Sequence, residues 1–142
     1  MKTDTIILSI HPKHIEKILS GEKQYEYRKY VPADIRYLVV YATAPIKMIV
    51  AFIEIDAVIK GLPNEIWEKT KQSAGVSKDF FMGYFSEHHE SYAIKFKAVS
   101  KLKAPKPLAC LKRSICAPQS YIYLTETIEE LYHKLDINKA IK

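Results

Sequence analysis

Residues 20 to 29 read SGEKQYEYRK and hold side chains that could do chemistry. Spaced as a strand, Gln24, Glu26 and Arg28 point one way and Tyr25 and Tyr27 the other. Glu26 can accept from a base amine or orient Arg28. Arg28 can donate to a phosphate or a base carbonyl through its planar fork. Lys23, at the strand start, adds a second cation. The same pair can equally be a structural ion pair that closes a barrel. Tyr25 and Tyr27 are either core or a stacking surface.

Other reactive groups are scattered. Thr43 in ATAP and Ser120 in PQS offer hydroxyls, although such residues at turns usually bond their own backbone. Gln119 can read a base edge with its paired donor and acceptor. His11 and His14 lie on the opening helix and are of the residue type that could titrate near neutral pH, but no fixed acid partner is visible for either. Cys110 and Cys116 do not form a disulfide scaffold, and no Cys and His spacing suits zinc. Neither a metal nor a cofactor is expected.

The elements that position these groups follow from periodicity. Residues 5 to 10 (TIILSI) read as a buried strand. HPKHIEKILSG reads as a short helix with Pro12 in its first turn, an inward stripe of Ile15, Ile18 and Leu19, and Gly21 at its end. Residues 37 to 41 (YLVVY) form a central strand. Residues 48 to 58 form a long strand whose odd positions Ile49, Ala51, Ile53 and Ile55 share an apolar face. Helices follow around Trp67 and, capped by Ser77, around Phe80, Phe81, Tyr84 and Phe85. Those aromatics are expected in the core. Residues 91 to 99 alternate as a strand with Lys95 and Lys97 outward, and KLKAPKPL reads as a loop. PQSYIYL is the last strand. TIEELYHKL is a terminal helix with Thr127 and Glu130 in capping-box spacing. Five or six strands outside βαβ alternation predict a mostly β, α+β fold: a partly open barrel flanked by helices. The expected organisation is one domain over 1–142, with 126–142 as a helical extension.

The chain has 142 residues, a formal charge of +6 and no apolar run long enough to cross a bilayer. It has no signal-peptide anatomy, so a soluble cytoplasmic protein is expected. Its basic residues are unevenly placed. Between Ser91 and Thr125 there is no acid, but there are seven cations: Lys95, Lys97, Lys101, Lys103, Lys106, Lys112 and Arg113. Such a segment is the footprint of a phosphate binder or a solvated lysine-rich face. Phosphate-loop and dinucleotide signatures are absent.

Gly21-Glu22-Lys23 followed by Tyr25-Glu26-Tyr27-Arg28, together with YATAP (41–45), the Trp67 helix with Gly75, and APQSYIYL (117–124), resembles the ASCH domain, a relative of the PUA fold. The likeness spans roughly residues 4 to 124. It is similar in particular to small prokaryotic ASCH proteins described as predicted transcriptional regulators, some of them joined to a helix-turn-helix. No candidate helix-turn-helix is present here. The resemblance implies a β-barrel with a cleft beside the opening helix, and a link to RNA or modified bases. Some ASCH proteins deacetylate acetylated cytidine, and a few are ribonucleases. Against the deacetylase motif, Gly21, Lys23 and Arg28 match the glycine, lysine and arginine. Glu26 stands where that motif has its catalytic Thr. A carboxylate offers no hydroxyl nucleophile, and it favours the charged form of a nearby Lys.

The expected function is a nucleic-acid-binding domain that holds RNA or a modified base in a cleft with Lys23, Glu26 and Arg28. Tyr25, Thr43, Gln119, Ser120, Lys95 and Lys97 are the further candidate binding residues, and DNA is a possible partner. The alternative is an amidohydrolase on acetylated cytidine nucleosides, or a ribonuclease, with Lys23 and Glu26 as catalytic groups. A third reading is a protein-interaction module that docks through the terminal helix. Oligomeric state is not legible.

Overall fold

A computed structural model describes residues 4–86, 90–111 and 121–137. The elements are β1 (Thr5–Ile10), α1 (Pro12–Ser20), β2 (Tyr25–Arg28), β3 (Tyr37–Ala42), β4 (Met48–Gly61), α2 (Pro63–Thr70), α3 (Lys78–Tyr84), β5 (Ser91–Lys106), β6 (Tyr121–Tyr123) and α4 (Ile128–Leu135). The strands form one six-stranded sheet in the order β2-β5-β4-β3-β1-β6. β1 and β3 run parallel, and every other neighbouring pair is antiparallel. The sheet curls into a half-barrel, so the fold is α+β as expected.

The curl comes from β4 and β5. Their register slips between Ile49 and Ala51 and at two places between Glu54 and Ala57. Each slip adds local twist and bend. It also flips the side chains. Ile49 therefore joins Phe52 in the core behind the sheet, while Ala51 and Ile53 face inward. Strict alternation over residues 49 to 55 fails at that slip, because a bulge breaks the period of two. A second departure is KLKAPKPL. Most of it is strand: β5 continues to Lys106, and Pro105 lies between the partnered residues Lys101 and Lys106. A proline is tolerated there because no ladder bond is required of it.

Among the described residues, three cores hold the molecule together. Inside the half-barrel, Ile15 and Ile18 of α1 pack on Ile6, Leu8, Leu38, Val40, Ile53 and Ile94. Behind the sheet, α4 places Leu131 and Leu135 on Ile7, Val39 and Phe52. Full burial of one such leucine is worth about 1.5–3 kcal/mol. Thr127 caps α4: its hydroxyl accepts from the Glu130 N–H (3.1 Å), and Glu130 Oε1 accepts from the Thr127 N–H (2.8 Å). The third core joins α2 and α3 to the outer side of β2 and β5 through Tyr27, Ile66, Trp67, Phe81, Phe85 and Ala93. Phe80 departs from its expected place in this core. It is 53% exposed, because Phe81 and Phe85 occupy the inward face of α3.

Candidate functional site

The site forms at the free edge of the half-barrel, where β2 lies between α1 and α3. Gly21 ends α1 with φ +89°, a conformation that costs a glycine little. The chain then turns sharply, and the Lys23 N–H donates to Lys17 O (2.9 Å). On its other side, the Gln24 N–H donates to Ser73 O (2.9 Å). Lys23 is thus clamped between the last turn of α1 and the segment after α2.

Its side chain is buried, with 3% exposure. Lys23 Nζ donates to Ala74 O (3.1 Å) and lies 4.8 Å from the centre of the Tyr27 ring. Lys17 Nζ donates to the next carbonyl, Gly75 O (3.2 Å). Gly75 has φ +71°, and a Cβ there would strike the Lys23 side chain. Only glycine lets the two segments approach this closely. Burial pushes the Lys23 ammonium below the usual lysine range; Lys17 and Arg28 add to this, and Glu26 opposes it. The expected effect of Glu26, holding Lys23 charged, is therefore outweighed by desolvation.

Glu26 and Arg28 follow on β2 and line the same cleft as Lys23. Arg28 Nε donates to Glu26 Oε2 (3.0 Å), and Arg28 Nη2 donates to Ser9 O on β1 (2.8 Å). This arginine ties one edge strand of the sheet to a strand near its other edge. Glu26 is 8% exposed. Behind β2, Tyr27 Oη donates to Thr70 Oγ1 (2.7 Å), and burial pushes the phenol up to about 12.

Both histidines of α1 reach the same place. His11 caps the helix, its Nδ1 accepting from the Lys13 N–H (3.0 Å). His14 lies 5.6 Å, ring to ring, from Phe80. His14 Nδ1 is buried and has no hydrogen-bond partner among the described residues. Burial, followed by the Lys23 charge, lowers the pKa of His14. At neutral pH it is an uncharged imidazole. Tyr84 completes the wall, with Lys29 Nζ 4.9 Å above its ring. These groups enclose a cleft of about 210 Å³, floored by Ser9, Ile10 and Arg28 and walled by His14, Phe80 and Tyr84.

Lys23, Glu26 and Arg28 therefore meet in one cleft. Tyr25 does not line it and stacks on Tyr27 at 6.4 Å. Thr43 sits in the turn after β3, its N–H bonded to Ile10 O (3.1 Å), and its side chain is not part of the lining. Lys95 and Lys97 lie along β5 in ion pairs with Asp56 (3.5 Å) and Glu54 (3.7 Å), also outside the lining. Gln119 and Ser120 lie outside the described residues. Ser9, Phe80 and Tyr84 were not legible as cleft residues. The four-residue spacing of Phe80 and Tyr84 was the available signal: it forms a second aromatic stripe on α3, next to the inward one.

An ASCH domain model matches residues 8–104, more than half of the chain, and the protein belongs to the ASCH domain family. Its half-barrel is of the PUA-like type. Among its relatives is an ASCH domain-containing ribonuclease of Zymomonas mobilis, 24% identical over 140 residues, covering 87% of this chain and 93% of that one. The crystal structure of ASCH from Zymomonas mobilis superposes with a TM-score of 0.80 at 25% identity, covering 94% of each chain. A tyrosine-to-phenylalanine variant of that protein gives 0.81 at 22% identity, covering 94% of this chain and 98% of that one. Large ribosomal subunit protein uL22 of Ureaplasma parvum is 28% identical over 109 residues, which is 75% of this chain but 35% of that protein.

Proposed function

We propose that this protein engages single-stranded RNA and takes one unpaired base into the cleft at β2. One observation carries this: the Glu26–Arg28 pair and the aromatic walls of Phe80, Tyr84 and His14 meet in a cleft of about 210 Å³. That space suits one planar base and excludes a duplex. Unpaired bases are held by such means, an aromatic face against the ring and polar groups at its edge. Arg28 is the group for a phosphate or a base carbonyl, and Glu26 for an exocyclic amine. The ribonuclease relative, similar along nearly its whole length, favours RNA as the partner.

Cleavage is a second reading, favoured by His14. His14 lines the cleft, and its imidazole, whose pKa burial lowers, is the group that can take the proton of a ribose 2′-hydroxyl. The 2′-oxygen then bonds to the adjacent phosphorus, and the bond from phosphorus to the 5′-oxygen breaks. The leaving 5′-oxygen takes a proton from solvent, and His14 returns the proton it took to solvent. Deacetylation of acetylated cytidine has less support, because Glu26 replaces the hydroxyl and Thr43 does not line the cleft.

The test uses labelled single-stranded RNA and the purified full chain. Binding should weaken steeply with added salt and exceed binding to duplex RNA. Products formed in the presence of a chelator, and lost in His14→Gln, would extend the role to cleavage. Acetylated cytidine should remain intact. Absence of any affinity for single-stranded RNA at low salt would overturn the proposal.

A further inference from the structure

We infer that the tyrosine-lined seam between β2 and β6 is a stacking track that carries the RNA strand away from the cleft. This rests on the role proposed for the cleft. β2 and β6 are the two edges of the sheet, and the half-barrel opens between them. Arg28 spans that opening to Ser9 O, at the floor of the cleft.

Aromatic rings continue directly from that point. Tyr30, two residues beyond Arg28, lies 5.4 Å from Tyr92 and 6.4 Å from Tyr121. Tyr121 pairs with Leu8, the neighbour of Ser9. Tyr123 pairs with Ile6, two residues further along β1, and its ring is 5.8 Å from that of Tyr121. The seam therefore runs in order from Arg28 to Tyr30, Tyr121 and Tyr123. Between the last two, Ile122 points the other way, into the core behind the sheet.

Exposure separates these rings from a core. Tyr30 is 56% exposed and Tyr123 38%, while Tyr92 beneath them is 7% exposed. The buried ring supports the track, and Tyr30 and Tyr123 present exposed ring surface above it. The charge matches the strand. Arg28 heads the seam, Lys29 stands over Tyr84 at the cleft wall, and Lys60 lies 5.9 Å from the Tyr92 ring while pairing with Glu90 at 3.3 Å. A row of exposed aromatic faces beside cations is how single strands are held without sequence preference. An apolar protein partner would instead call for an aliphatic patch, and these exposed side chains each carry a hydroxyl.

The test is fluorescence anisotropy with the full chain and labelled oligouridylates, a dinucleotide and an octanucleotide. The unaltered protein should bind the octanucleotide more tightly. The Tyr30→Ala/Tyr123→Ala variant should lose about tenfold or more of that affinity and keep its hold on the dinucleotide. The corresponding Phe variant should retain the longer RNA. The corresponding Leu variant, which keeps bulk but not the ring face, should lose it. An octanucleotide affinity unchanged in the Ala and Leu variants overturns the track. If Phe80→Ala weakens both RNAs while the tyrosine variants bind normally, the track falls and the cleft stands. If neither RNA binds the unaltered protein, both fall.

Discussion

The two helical covers of the sheet are built on opposite principles. Behind it, α4 seats Leu131 and Leu135 on Ile7, Val39 and Phe52, and the contact is apolar throughout its centre. At the β2 edge, α1 and α3 cover two buried ionisable side chains, Lys23 and Glu26, and an unpartnered imidazole nitrogen. Burying such groups costs free energy, and a packed apolar contact recovers it. The difference teaches that the back is sealed by apolar packing, while the β2 edge adds buried polar groups around an opening to the apolar packing of Ile15, Ile18, Phe81 and Phe85.

The largest expected effect breaks the back. Leu131→Ala should cost about 2–5 kcal/mol in chemical denaturation and leave the RNA affinity of the folded protein unchanged. Gly75→Ala is the corresponding break at the front. The left-handed backbone alone should cost about 1–3 kcal/mol, and the displaced Lys23 should distort the cleft, so RNA affinity should fall with stability. Equal affinity in that variant would detach the lysine clamp from the site.

Lys23→Met sharpens the comparison. It removes a buried charge and keeps the length of the side chain, leaving Ala74 O without its donor. Stability should change by about 1 kcal/mol, while RNA affinity falls by an order of magnitude or more. A proportionate loss of both would make Lys23 a purely structural residue.

Two pH windows follow from the front alone. Tyr27 stays protonated in the fold up to about 12, against 10.0 when free. The folded state thus binds more protons in that interval, and stability should decline as pH rises through it. Tyr27→Phe should flatten part of the decline in an alkaline denaturation series. His14 has the opposite sign. Its lowered pKa means that the unfolded chain takes a proton first as pH falls below 6.5, so stability should drop there, less so in His14→Gln. The smallest effect belongs to Lys95→Ala or Lys97→Ala. Their exposed ion pairs should contribute at most about 0.2–1 kcal/mol, measured by thermal melting.

The acid-free run from Ser91 to Thr125 looked like a basic face. Its acids come from elsewhere in the chain: Asp56 and Glu54 reach Lys95 and Lys97 across the β4–β5 ladder, and Asp136 reaches Lys103 (3.8 Å). Strand register, which local sequence does not encode, decided that. The same holds for Ile49, whose side was set by a bulge, and for Phe80, whose exposure depended on which α3 residues the sheet claimed.

By itself, the sequence determined the helices and their ends, since caps and first-turn prolines act within a few residues: Pro12 and Gly21 for α1, Ser77 for α3, Thr127 and Glu130 for α4. It also determined that Glu26 and Arg28 share a face, because strand parity is local. Tertiary structure decided that Ser9, His14, Phe80 and Tyr84 surround that pair. Those residues come from three elements, and their meeting depends on the curl of the sheet and on the loop at Gly75. Desolvation, which lowers the pKa of Lys23 and of His14, depends on every atom packed around them and exists only once the chain has closed.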